Sequence, residues 1–438
     1  MRGELTLGLL TIWLVVMPIP AMAETLAELW GIAQRENPDL AVLVATAAEA
    51  GVAVERAEDD RGPTVAVDVR YVKLSERPTL DIPAGVIDEE PRTFFTGPDE
   101  GFGGALMVRQ DLYTGGAVTA RIKGAKAGWE AAQAQLAAAR ERICRDLIRA
   151  AYRTLALRRR LDVLREVEKQ SAGHIERTKE FLENGLVTRL DVLEAEVRFA
   201  QAGRDRIAGE HALALAEKGL KRLLGRDLES SIEVPGDDPF EPPPGSLPEC
   251  LLAARQNRLE LMSVRAQRDQ AARGVDLAKS RYLPSVSLTG GYHPGRTDVS
   301  VGSLNNVWDF RAAVTWTPWD YGRREHDVLK AQAQAAIGEW RIRAVEADIA
   351  LEVETAYRGV EEQESALRSS ASVRAKVGES FALARERFDE GLARVTEVLD
   401  AQTLWASTES DCLSAGYELQ VARAELLYTI GRLTTSLH

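Results

Sequence analysis

Cysteine is scarce in this chain. Cys144, Cys250 and Cys412 are the only three among 438 residues, and an odd number lying far apart excludes a disulfide framework and a Cys-x-x-Cys metal module. A basic surplus is missing too. The 67 acidic residues outnumber 55 Lys and Arg, for a net charge of −12, which excludes a duplex nucleic-acid partner because that would call for a basic face. The 17 prolines gather in a few clusters, so long stretches remain free for uninterrupted helix. Beyond its first two dozen residues the chain has no apolar run long enough for a membrane-spanning helix, so a bundle of such helices is excluded. No Walker-type glycine loop, Gly-x-Ser-x-Gly or His-Glu-x-x-His occurs. His174, His211, His293, His326 and His438 are scattered; no metal site, cofactor or enzymatic activity is expected.

What is present begins at the N-terminus. Arg2, the apolar run Leu5–Met17 and the small residues of Ala21-Met22-Ala23 read as a signal peptide over 1–23, with Glu24 as the expected first mature residue. As a membrane anchor the run is too short, and Pro18 and Pro20 interrupt it. No cysteine follows the cleavage site, so no N-terminal lipid anchor is expected.

Behind the signal the chain reads as two similar halves. Ala57, Pro63, Val65 and Tyr71 find counterparts 221 residues on, in Ala278, Pro284, Val286 and Tyr292, and Asn37 pairs with Asn257. Gly116, Ala125, Ala127, Gly185, Val192, Leu193 and Gly225 match Gly322, Ala331, Ala333, Gly391, Val398, Leu399 and Gly431 at a spacing of 206. The change in spacing falls between Tyr71 and Gly116, where the first half has a longer loop. The domain plan is a first repeat over 24–225, a linker over 226–247 with Pro235, Pro239 and Pro242–Pro244, and a second repeat over 248–438.

Each half reads helix, strand, loop, strand, long helix, turn, helix. Leu26 to about Asp60 is one helical segment, and Ala117 to Asn184 is proline-free, a helix of roughly 100 Å at about 1.5 Å per residue. After the turn at Gly185, Leu186 to Gly225 is helical again. Two shorter helices stacked end to end therefore match one long helix, and Arg323 to Glu390 repeats the long one. A heptad seam runs through Val398, Ala401, Trp405, Thr408, Cys412, Ala415, Leu419, Ala422 and Leu426. Its counterpart is Val192, Ala195, Phe199, Ala202, Arg206, Gly209, Leu213, Ala216 and Leu220, with one charged exception. Cys412 reads as a packing residue on this seam.

Four short segments alternate. Val65, Val67, Val69 and Tyr71 flank Asp68 and Arg70; Val286, Leu288 and Tyr292 flank Ser287, Thr289 and Gly291. Trp308, Phe310, Ala312, Val314 and Trp316 flank Asp309, Arg311 and Thr315. The fourth, Phe102 to Leu112, is the weakest. Alternation alone also fits a soluble sheet with one buried face. The signal peptide and the aromatics at strand ends (Tyr71, Tyr113, Tyr292, Trp308, Trp316, Trp319) favour membrane strands with interface girdles. Four strands cannot close a barrel and an open edge is not tolerated in lipid, so several chains must share one.

In these residues the mature chain resembles the TolC family of outer-membrane efflux channels. The carriers are Asn37-Pro38, Ala57 with Pro63, the run Gln110–Gly116 and its partner Trp316–Gly322, and the two turn motifs Gly185–Leu193 and Gly391–Ala401. The resemblance implies an α+β membrane protein: long α-helices forming a trimeric helical barrel, plus four β-strands per chain in a 12-stranded transmembrane β-barrel. It implies a homotrimer in the outer membrane of a Gram-negative bacterium, extending into the periplasm and docked through a periplasmic adaptor (membrane fusion protein) to an inner-membrane pump of RND or ABC type. Gly185, Leu186, Val187, Gly391 and Leu392 would be adaptor-contact turns. Glu397 and Asp400 would form the entrance carboxylate ring, and Asp191 with Arg189 or Arg394 the polar links that close it. Arg394 lies one residue from the usual arginine, and Phe388 stands where the best-studied members have tyrosine.

Carboxylates three apart share a helix face, so Glu397 and Asp400 suit a ring that attracts cations. Acids near a helix N-terminus also complement its dipole, and Thr188-x-x-Asp191 fits a capping box. The function expected is an exit duct of a tripartite efflux or type I secretion system, passively conducting what an inner-membrane pump delivers. The alternative is a periplasmic coiled-coil adaptor or scaffold with a soluble sheet.

Overall fold

The prolines and turn glycines punctuate the chain where its elements begin and end. The computed structural model describes residues 25–437 apart from 78, 88, 96–98, 233, 235–238, 241–244 and 295–306. Helices α1 (Leu26–Glu36) and α2 (Pro38–Asp59) lead to β1 (Thr64–Lys73), β2 (Thr79–Ile82), β3 (Arg92–Phe95) and β4 (Glu100–Tyr113). Helices α3 (Ala117–Glu183) and α4 (Arg189–Leu224) follow. After the linker come α5 (Leu247–Asn257), α6 (Leu259–Ser280), β5 (Ser285–His293), β6 (Val307–Thr315), α7 (Arg323–Asp389) and α8 (Val395–Thr429). The expected signal peptide, Pro235, Pro242–Pro244 and His438 lie outside the described residues.

The single helix expected from Leu26 to Asp60 is two. Pro38 takes the first helical position of α2, where a missing N–H costs nothing, and the Asn37 side chain caps it by accepting from Leu40 N–H at 2.9 Å. The second half breaks without a proline at Arg258, whose backbone is extended and whose guanidinium meets Glu260 at 2.7 Å and Glu352 at 2.6 Å. The loop between β1 and β4 is also more ordered than the sequence indicates. It holds a hairpin in which Thr79 faces Phe95 and Ile82 faces Arg92.

Helix α3 packs against α2 and α4 on one side and against α6 and α8 on the other, and α7 packs on α6 and α8. The helices thus form four columns: α2 with α4, α3, α6 with α8, and α7. The short columns join at matching positions. Asn37 donates to Leu223 O at 2.7 Å and Asn257 to Ile430 O at 3.4 Å. The main core gathers at this waist, with Trp30, Tyr152, Leu220, Leu261, Val353 and Leu426 buried. The seam of α8 packs as its spacing predicts, with Val398, Thr408, Cys412, Ala415, Leu419 and Leu426 buried. In α4 the charged exception, Arg206, is neutralised by Glu168 at 2.7 Å and Glu210 at 2.8 Å.

The four main strands form one antiparallel sheet in the order β1-β4-β5-β6. The segment that alternated least in sequence is its longest strand, Glu100–Tyr113, paired with β1 along one edge and β5 along the other. A bulge between Asp111 and Tyr113 skips Leu112 and sets Tyr113 opposite Val286.

Candidate functional site

Register decides what each face of the sheet carries. Directly paired residues share a face, so Val65, Val67, Val69 and Tyr71 line up with Val108, Leu106, Gly104 and Phe102. The row continues through Val286, Leu288, Gly290 and Tyr292 to Val314, Ala312, Phe310 and Trp308. Gln110 is the polar exception, and it caps the helix-side end by donating to Arg61 O at 2.9 Å. Among the described residues nothing covers this face: Val67 is 72% exposed, Val69 75% and Trp308 77%. The opposite face holds Asp68, Arg70, Arg109, Asp111, Ser287, Thr289, Asp309 and Arg311. Its charges pair along the strands, Arg109 with Asp111 at 3.2 Å and Arg311 with Asp309 at 2.5 Å.

The expected girdle residues separate into two belts. Far from the helices, Tyr71 packs on Phe102 with ring centroids 5.0 Å apart, and Tyr292 faces Trp308. At the helix end lie Tyr113, Trp316 and Trp319; Trp316 donates to Tyr282 O at 3.1 Å, and Trp319 meets Tyr321 edge-on. Along β6 the belts are eight residues apart, roughly 26 Å at about 3.3 Å per residue. At the tilt of about 35–45° usual for barrel strands, that length spans about 20 Å along the normal, most of an apolar band about 25 Å tall.

At the other end of the long helices lie the two turns. Gly185 (φ 73°) and Gly391 (φ 75°) adopt the left-handed conformation that glycine tolerates best. Leu186 N–H returns to Phe181 O at 2.8 Å and Leu392 N–H to Arg387 O at 2.7 Å, which satisfies the carbonyls that end α3 and α7. Leu186 and Leu392 are exposed, Val187 packs on a small apolar cluster of Phe388, Val395, Val398 and Leu399. Glu397 and Asp400 both point to solvent from the first turns of α8. Asp400 meets Arg198 of α4 at 3.6 Å.

Asp191 closes a capping box with Thr188, accepting from its backbone N–H and its hydroxyl, both at 2.7 Å. Those hydrogen bonds, with Arg394 nearby, hold its carboxyl below the usual carboxylate range. Arg189 begins α4 and Arg394 precedes α8, both exposed. Within one chain the two hairpins are joined by groups that sequence reasoning missed. Arg177 of α3 pairs with Asp389 of α7, and Gln402 of α8, buried, donates to Val167 O at 3.3 Å. Only proximity in the fold identifies these partners, since they lie more than 200 residues apart.

Among the described residues, two edges of the molecule stay apolar and uncovered. On α7, Leu329, Ile337, Trp340, Leu351, Val373 and Leu383 are exposed; at about 100° per residue they lie opposite the buried Val353, Ala356 and Val360. On α4, Leu190, Leu193 and Val197 are exposed on the side away from Val192, Ala195 and Ala202. Among the described residues, strands β1 and β6 are likewise open edges of the sheet.

Comparison with known proteins gives a consistent picture. A family model described as outer membrane efflux protein matches residues 29–226 and 251–432. Outer membrane protein TolC of Vibrio cholerae is 23% identical over 424 residues, spanning 94% of this chain and 92% of that one. The solved outer-membrane channel OprN superposes with a TM-score of 0.77 at 20% identity, over 93% of this chain and 89% of its own. The CmeC outer membrane channel of Campylobacter jejuni gives 0.79 at 17% identity, over 93% and 86%.

Proposed function

This chain belongs to the outer membrane efflux protein family, and from that premise we propose that it is the outer-membrane exit duct of a tripartite efflux or type I secretion system. The observation that carries the reading is the sheet. One face is apolar across all four strands but for Gln110, the other carries the charges, and both edges are unpaired among the described residues. In lipid every strand N–H and C=O must find a partner, so such a sheet is complete only when copies of the chain close it. Three copies give 12 strands, with the apolar face outward and the Asp–Arg pairs around the lumen. The same closure brings the apolar stripe of α7 against the exposed α2 and α4 column of the next copy, extending the duct as a helical barrel through the periplasm.

The element order supports a duplicated unit, 24–225 and 248–438, joined by a linker over 226–247. Three copies of Glu397 and Asp400 would ring the entrance, and Asp191, Arg189 and Arg394 would face neighbouring copies as closing contacts. Turn residues Gly185, Leu186, Val187, Gly391 and Leu392 would meet a periplasmic adaptor that docks the duct to an RND or ABC pump. Conduction through such a duct is passive, and the work is done by the pump.

Outer-membrane fractionation, detergent-stable trimers on gels and planar-bilayer conductance test this reading. A detergent-free soluble monomer without conductance would leave the adaptor or scaffold alternative standing. For the entrance, the double variant Glu397→Gln/Asp400→Asn is expected to weaken block of the channel by multivalent cations severalfold. Unchanged block rejects the ring.

A further inference from the structure

Between the two hairpins, just inside the turns, lies a cleft of 320 Å³ formed by α3, α7 and α8. His174 of α3 lines it. Its ring packs at a tilt on Phe388, the penultimate residue of α7, with centroids 4.6 Å apart, and Phe181 packs on the Phe388 ring at 5.4 Å. Phe388 is almost fully buried, so His174 is part of what holds α3 to the end of α7. The imidazole Nε2 is buried and meets no hydrogen-bond partner among the described residues.

We propose that the entrance end of this chain is acid-sensitive and that His174 is the sensing group: neutral, it holds α3 on the last turn of α7, and protonated it loosens that contact. The surrounding charges explain the direction. From α3 itself come Glu166, Lys169 and Arg177; from α7 come Arg385 and Asp389; α8 adds only the uncharged Val398 and Gln402. Asp389 is held by Arg177, and Glu166 accepts from Gln170 at 2.9 Å. An imidazolium would arise beside the Arg177 guanidinium, with a buried Nε2–H that meets no hydrogen-bond acceptor among the described residues. The Phe388 ring offers a cation only a weaker partner than an indole would.

Burial, opposed by Asp389 and aided by Arg177, holds the His174 imidazole below its ordinary range. A histidine depressed in this way contributes fully above its ordinary pKa of about 6.5. That contribution is lost as pH falls toward the depressed value. Neutral periplasm would keep the hairpins together, and an acid medium equilibrating across the outer membrane would release them.

This inference deepens the exit-duct reading and rests on it, so two measurements separate them. The first is bilayer conductance of the purified protein from pH 7.5 down to pH 5. Wild type is expected to open wider in acid, and His174→Gln to lose that rise; His174→Phe, which keeps the ring packing, guards against a folding defect. The second is tryptic cleavage at Arg387 and Arg394, compared between wild type and variant at each pH so that the protease's own pH response cancels. Acid should speed cleavage of wild type and not of either variant. An acid response that survives in both variants, or its absence from wild type in both measurements, overturns the proposal. Acid-dependent cleavage in a protein that never conducts would sink the exit-duct reading instead and leave the His174 contact intact.

Discussion

Asp191 accepts two hydrogen bonds from Thr188 at the start of α4, and its carboxyl is held below the usual range by them. Losing such a cap costs about 1 kcal/mol. Asp191→Ala is therefore expected to lower the melting temperature of the purified protein at neutral pH. The sign with pH follows from the depressed pKa: the carboxylate stabilises fully above its ordinary value of about 3.9, and the benefit is lost as pH falls below it. Wild type and variant should melt apart near pH 7 and converge in strong acid, and a gap that persists there rejects the account. The Thr-x-x-Asp spacing made this cap readable from sequence. The partners of Arg177, Arg198 and Gln402 were not readable, because a charged residue on a helix surface carries no mark of which distant helix it will meet.

Helix ends follow the same logic with more at stake. Gly225 and Gly431 close α4 and α8 in the left-handed conformation, as Gly185 and Gly391 close α3 and α7. The surroundings differ. A Cβ at Gly225 would lie 2.1 Å from Glu36 O, and one at Gly431 would lie 2.9 Å from Asn257, whereas Gly185 and Gly391 have open space. Gly185→Ala should cost only the left-handed backbone term of about 1–2 kcal/mol. Gly225→Ala adds a backbone clash at the joint of α4 with α1 and α2, and should melt well below Gly185→Ala. Equal melting temperatures would refute the joint. Sequence comparison of the halves had matched Asn37 with Asn257 and Gly225 with Gly431, but as separate coincidences. The fold sets Asn37 beside Gly225 and Asn257 beside Gly431, neighbours that neither match in sequence reveals.

For the whole molecule the sheet face and the open helix edges decide the outcome. An arginine on the lipid face near the bilayer middle costs about 2–4 kcal/mol. Val67→Arg should thus deplete outer-membrane trimers, while Asp68→Asn, on the other face, should leave insertion intact. Equal recovery of the two would contradict the assignment of faces. Trp340→Glu, on the exposed stripe of α7, should shift the purified protein from trimer toward monomer on sizing, without loss of helix by circular dichroism. A trimer of undiminished stability would place the contact between copies elsewhere.

Periodicity and punctuation are local properties, and they were enough to mark the long helices, the seams, the turns and the alternation of the strands. Pro38 and the β2–β3 hairpin show the limit of that local reading. One proline at a first helical position can be passed through or can start a new helix, and short strands with mixed faces have no period to reveal them. Register was beyond sequence altogether. Each strand alternates alone, but only pairing sets four apolar rows on one side and the Asp–Arg pairs on the other. The same holds for His174, an isolated histidine in a polar helix until the fold sets it against Phe388. Local pattern determines elements because its interactions span a few residues. Which faces meet, and which are left for lipid or for another copy, is decided by contacts between residues hundreds of positions apart.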